Sequence, residues 1–271
     1  MILRPMFCCL GLAVGLAAPA RAAPEARTPS GKWHVNFDEA QCVASRNYGS
    51  EGGSPQLILK APALGEVMQV AVLRSAPKTA PEQVDATVAV GERRPLRTSM
   101  MMFTPEGLKE RVYLLNMPSA EFSTVRQAKS LSVRSAGLNE SFALSGMEPL
   151  MKVMDRCVAD LRRVFNVAAQ GAEPAGLRSR AKANLAKLFS SDDYPAVARR
   201  NRQSGRVEFA LLVREDGRVA DCTIVQTSGV PSLDAQACAM LKIRARFEPA
   251  LGHDGKPAKD ALVGAVVWRM P

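Results

Sequence analysis

Short runs in which apolar and polar residues alternate dominate the first part of the chain. Strand-like runs at 33–37, 56–59, 67–73, 84–90 and 112–115 are separated by Gly, Pro and Ser clusters, the pattern of an antiparallel β unit. The period then changes. Across 147–167, Leu150, Met154, Cys157, Leu161 and Phe165 fall near helical spacing, so one apolar stripe should pack on that sheet. The run Met100-Met101-Met102-Phe103 is read as a buried strand, with a soft partner surface as the alternative. Residues 168–190 shift towards Ala, Gly and basic residues. There, 171–176 reads as a flexible linker and 177–188 as a short amphipathic helix.

After this linker the alternation returns. Val207, Phe209, Leu211 and Val213 share one face of a strand, with Arg206, Glu208 and Ala210 opposite. Asp216-Gly217 supplies residues that tolerate the positive φ of a tight hairpin. A second strand follows over about 218–226, and Ser228-Gly229-Val230-Pro231 breaks it. Ser232 is placed to cap the next helix, Asp234 lies in its first turn, and Leu233, Ala237, Met240 and Leu241 form its buried stripe. Pro249 and the glycines at 252 and 255 lead into a last apolar strand at 261–270. The expected fold class is α+β in two domains. One is an amino-terminal antiparallel β-rich domain at 31–167 closed by a carboxy-terminal helix, and the other is a ββαβ domain at 191–271.

Tyr194-Pro195 before the hairpin, Ser228-Gly229, Leu233-Asp234, Phe247-Glu248-Pro249-Ala250 and the closing strand together resemble the TonB carboxy-terminal domain family, over about residues 190–271. The order and spacing carry the resemblance, not any single motif. It implies a periplasmic protein that grips an extended TonB-box-like segment of an outer-membrane receptor, or of another envelope protein, by β-strand addition. In that mode main-chain hydrogen bonds give affinity at a sheet edge. Members of this family are thought to use their final strand, which assigns partner binding here to Ala261, Val263, Ala265, Val267 and Arg269, with Tyr194 and Pro195 nearby. The sequence leaves open a homodimer through the same edge. Trp33, Cys42 and Phe142-Ala143-Leu144 are similar to an amino-terminal module of some envelope proteins bearing this domain, a likeness that names no activity.

Residues 1–22 read as a secretory signal peptide: Arg4, an apolar run from Met6 to Ala18, and Ala20-Arg21-Ala22 as the cleavage site. The run is shorter than the about 20 residues a membrane-spanning helix needs. A periplasmic accessory protein of outer-membrane transport is therefore the first reading. The alternative is an energy transducer held in the inner membrane by an uncleaved amino terminus, which alone would bring inner-membrane motor proteins in as partners. No proline-rich spacer array accompanies the 18 scattered prolines.

Composition sharpens this picture. At 47% hydrophobic residues the chain can build packed cores. The formal net charge of +10 falls by two if a leader carrying Arg4 and Arg21 and no acid is removed. Basic residues are spread along the chain and aromatics make up only 5%, so nucleic acid is not an expected partner. The densest basic cluster, Arg199, Arg200, Arg202 and Arg206, is a solvated face or the rim of a partner contact. Four cysteines remain beyond the leader: Cys42, Cys157, Cys222 and Cys238. An oxidising compartment favours disulfides, and of the three pairings the domain reading selects Cys42 with Cys157 and Cys222 with Cys238. No C-x-x-C occurs and the two histidines lie far apart, so neither metal nor cofactor is expected.

Motifs for enzymatic chemistry are missing from the sequence. It has no G-x-S-x-G, H-E-x-x-H, Walker or calcium loop. Gly252-His253-Asp254-Gly255-Lys256 has Pro257 where a phosphate loop needs Ser or Thr, and reads as a connecting turn. Asp192-Asp193 reads as a cap for a short turn. No catalytic residue is nominated, and a binding protein, not an enzyme, is expected.

Overall fold

The computed structural model describes residues 25–49, 53–65, 67–168 and 172–270; the predicted signal peptide lies outside them. In the amino-terminal region nine strands form one antiparallel sheet. They are β1 (His34–Asp38), β2 (Gln41–Asn47), β3 (Gln56–Ala61), β4 (Val67–Ser75), β5 (Glu82–Val90), β6 (Leu96–Phe103), β7 (Glu110–Pro118), β8 (Ser130–Ser135) and β9 (Leu138–Ala143), in the spatial order β1-β2-β3-β4-β7-β6-β5-β8-β9. A short helix, α1 (Ser119–Val125), follows β7.

Alternate residues turn inward on every central strand. Leu57 and Leu59, Val70 and Val72, Val84, Ala86 and Val88, Met100 and Met102, and Tyr113 and Leu115 are all buried in one core, as period-two strands with one covered face require. The sheet curls into a half-barrel around helix α2 (Met147–Val164), whose Leu150, Met154, Cys157 and Leu161 enter the same core. Cys42 on β2 and Cys157 on α2 form a disulfide that ties helix to sheet. The two flanks of the curl are joined by residues 27–30. Arg27 exchanges backbone hydrogen bonds with Ser141 and Ala143 on β9, and the Ser30 amide donates to the Asn47 carbonyl on β2 at 3.1 Å. Buried Glu140 accepts from the Arg27 and Arg74 guanidinium groups, so its charge is paired inside the wall.

The segment expected to be a helix at 177–188 is not one. It holds a short strand, β10 (Leu177–Ser179), and a single 3₁₀ turn at Leu185–Lys187. Long-range pairing overrides local propensity here. β10 joins β13 (Ala250–Gly252) and β14 (Pro257–Ala258) in a three-stranded sheet, and Arg180 grips the buried Asp260 carboxylate at 3.0 Å from Nε to both oxygens.

The carboxy-terminal region builds the expected ββαβ order: α3 (Ala196–Arg200), β11 (Gly205–Val213), β12 (Val219–Gln226), α4 (Pro231–Arg244) and β15 (Asp260–Trp268). Its sheet runs β12-β11-β15, all antiparallel. Val207, Phe209, Leu211 and Val213 point at α4 as the alternation requires. Ala210 and Leu212, on the opposite face, are buried as well. The reason is tertiary, since Leu212 and Ala261 belong to the half-barrel's core cluster. Cys222 on β12 bonds to Cys238 on α4.

Ser232 does not cap α4. The helix begins at Pro231 with Val230 in the cap position and no side-chain capping bond. Asp234 serves that end instead, its buried carboxylate accepting from the Ser228 amide at 2.9 Å, the Ser228 hydroxyl at 2.7 Å and the Thr227 hydroxyl. Pro at the first helical position needs no partner for a missing N–H, so the acid one turn in can reach back over the preceding loop.

Candidate functional site

The β12-β11-β15 sheet has two edges, of which, among the described residues, one is covered and one is open. Along β12, Lys60 Nζ and Gln41 Nε2 bond the Asp221 carboxylate at 2.8 and 3.2 Å, and a side chain at Gly65 would meet Val225 at 3.0 Å. The amino-terminal region thus covers that flank. On the other side, among the described residues, no strand pairs with the outer edge of β15.

Both ends of β15 are anchored. At its start the Asp260 carboxylate accepts from Arg180, from the Ala181 amide at 2.9 Å and from the Ala261 amide at 2.7 Å, while Arg180 Nη2 donates to the Ala261 carbonyl at 2.6 Å. At its end Trp268 is buried against the rings of Phe189 and Tyr194, each edge-on with centroids 5.6 Å away. Between them β11 pairs the whole strand, from Val213 opposite Asp260 to Gly205 opposite Trp268. Gly264 keeps this pairing close, because a Cβ there would lie 2.9 Å from the Phe209 ring.

The bonding of Ala261 fixes the parity of the strand. Its amide is taken by the Asp260 carboxylate and its carbonyl by Arg180, neither by the β11 backbone, so they face away from β11. The two-residue repeat then turns the backbone groups of Val263, Ala265 and Val267 the same way. The side chains of these three residues occupy the exposed face, with Val263 at 61% and Val267 at 50% accessibility. Leu262, Gly264 and Val266 face α4 and are half-buried. Arg206 lies opposite Val267 and Glu208 opposite Ala265, joined by an ion pair of 3.0 Å. Arg199, Arg200 and Arg202 are exposed on and just after α3.

The residues assigned to partner binding therefore separate. Val263, Ala265 and Val267 sit together on the open edge, and Arg269 is exposed just beyond it. Ala261 is buried, with its backbone occupied. Tyr194 is buried too. Its hydroxyl donates to the Gln203 carbonyl, and burial pushes its pKa up. Pro195 precedes α3 in the cap position. Sequence reading missed Arg180 and Asp260. Asp193 was expected to cap a turn. It does so in a capping box with Ser190, and its carboxylate takes a two-pronged bond from Arg244 at 2.7 Å on each side. The signal for Arg180 with Asp260 was absent, since nothing in a single sequence links residues so far apart.

Among the described residues no group of His, Cys, Asp and Glu side chains is arranged to hold a metal ion, and no helix is long and apolar enough to cross a membrane.

With this geometry in view, residues 190–268 match the family described as the Gram-negative bacterial TonB protein C-terminal. The matched segment runs from the capping box at Ser190 to the end of β15. No curated protein matches the chain.

Proposed function

We propose that this is a cell-envelope protein of the TonB type whose carboxy-terminal region recruits an extended segment of an outer-membrane receptor, or of another envelope protein, by adding it to β15. One observation carries the reading: β15 is paired on one side, held at both ends and, among the described residues, unpaired along Val263–Val267 on the other. A guest strand would satisfy the outward amides and carbonyls of Val263, Ala265 and Val267 and lay side chains on their apolar face. Arg199, Arg200, Arg202 and Arg206 form a cationic rim at the Trp268 end, suited to acidic side chains of the guest. Tyr194 acts from beneath, by holding Trp268. The role of TonB carboxy-terminal domains as non-catalytic interaction modules supports a binding protein.

Peptides from receptor TonB boxes, titrated against the protein, test the proposal. Ala265→Pro removes an outward N–H without touching the bonds to β11, a change edge strands accommodate. It should abolish peptide binding while the unfolding midpoint stays near that of the parent. Equal binding by parent and proline variant sinks strand addition, and a concentration-dependent dimer lost in the variant would point to a second copy as the guest. Whether the protein works free in the periplasm or as an inner-membrane transducer is read from its amino terminus. A start near Ala23 in the periplasmic fraction supports the accessory role, and Met1 in the membrane pellet supports the transducer.

A further inference from the structure

The half-barrel wall is split. β6 pairs with β7 only from Met101 opposite Leu114 to Phe103 opposite Val112, whereas β7 continues along β4 as far as Pro118 opposite Val67. β6 meanwhile follows β5 back to Leu96 opposite Val88. The β5–β6 hairpin thus peels away from β7. The inward row of β6 records the parting: Met102 and Met100 are buried, and Leu96, six residues before Met102 and of the same parity, is 45% exposed. A cavity of about 690 Å³ enters the wall there, within the range of small-molecule sites. Val88, Val90 and Met117, inward-facing core residues, line its inner part. Arg93, Arg94 and Arg97 line its mouth, against a single acid, Glu121. Among the described residues none of these three arginines forms an ion pair with a carboxylate.

We propose that this opening binds an anionic amphiphile, a single alkyl chain ending in a carboxylate or phosphate. The apolar wall receives the chain and the arginines hold the head. The charge distribution selects this occupant: cations stand only at the rim, and guanidinium groups recognise carboxylate and phosphate oxygens in pairs. A neutral chain would leave the three guanidinium groups unused.

The test uses the whole protein and soluble ten-carbon probes below their micelle concentration: decanoate, decyl phosphate, decanol and decyltrimethylammonium. Saturable one-to-one binding of the two anions is expected, with decanol and the cation at least about tenfold weaker, as for loss of a charge-assisted hydrogen bond. Arg93→Glu/Arg94→Glu/Arg97→Glu, on an exposed hairpin, should weaken decanoate by at least the same factor. Leu96→Trp should block entry while leaving the core intact. Equal binding of anion, alcohol and cation overturns the proposal, as does decanoate binding that both variants leave unchanged. So does attachment only to anionic phospholipid vesicles, or binding of an acidic peptide by a protein that ignores decanoate.

Discussion

Gly217 shows how a single residue sets the hairpin on which the carboxy-terminal sheet depends. Its φ is +76°, and a Cβ there would lie 2.0 Å from the Phe247 carbonyl oxygen, while its own carbonyl accepts from the Phe247 amide at 2.8 Å. Gly217→Ala should therefore cost about 2 kcal/mol or more. Gly255→Ala has the same φ of +76° but open space around it, and should cost about 1 kcal/mol. Urea midpoints of the two variants check the difference, and equal losses would mean that strain alone, not the Phe247 contact, decides. Asp193 makes a prediction in pH. The Arg244 guanidinium, and after it the Ser190 amide, hold its carboxyl down at about 2. An unfolded aspartate titrates at about 3.9. The stabilisation is thus complete above about pH 4 and is lost as pH falls towards about 2. Asp193→Asn should flatten the stability profile across that window, and an unchanged slope between parent and variant would show that the bond contributes nothing.

Among the elements, those legible in the sequence carry their partners in their own pattern. β4, with Val67, Val70 and Val72 in nine residues, and β5, with Val84, Val88 and Val90, announce themselves by β-branched alternation. α2 does so by its apolar stripe. β2 and β8 escaped notice because their inward residues are few or small: Cys42 and Ala44 on one, Leu131 and Val133 among serines and an arginine on the other. The segment 177–188 misled because its Leu and Ala residues favour a helix locally, while its structure is decided by Glu248, Leu251 and Asp260 far along the chain. The candidate edge was legible as a strand. Its open side was not, because parity depends on Arg180 reaching Ala261. The two cysteine pairs were legible from topology. Cys222 and Cys238 close a 16-residue separation, for which the chain-entropy model gives about 3 kcal/mol. Cys222→Ala/Cys238→Ala should lower unfolding free energy by that order without altering the strand order. A loss under about 1 kcal/mol would place the stability of the helix in its packing alone.

At the scale of the whole molecule, the amino- and carboxy-terminal regions meet through charge set into an apolar contact. Asp221, 3% exposed, lies between Lys60 at 2.8 Å and Lys242 at 3.8 Å, while Glu39 bridges Arg214 and Lys259 at 3.2 and 3.1 Å. Burial pushes the Lys60 pKa down and Asp221 partly restores it, so the lysine depends on its partner to stay charged inside the contact. Asp221→Ala strands that ammonium, and a stranded buried charge costs about 3 kcal/mol. Replacing both as Lys60→Met/Asp221→Leu removes the unpaired group and should recover most of the loss. The two tryptophans make the effect visible, because Trp33 packs on the half-barrel core and Trp268 closes the carboxy-terminal sheet. In the parent, Trp33→Phe and Trp268→Phe proteins should report one coincident urea transition. With Asp221→Ala added, the two transitions should part, because the contact that couples the regions has been weakened while each core is intact. Coincident curves in the Asp221→Ala proteins would mean that Leu212 and Ala261, which reach into the half-barrel core, hold the regions together without the ion pair. The outer edge of β15 would then be positioned by apolar packing, and mutations at Leu212 should disturb peptide binding where Asp221→Ala does not.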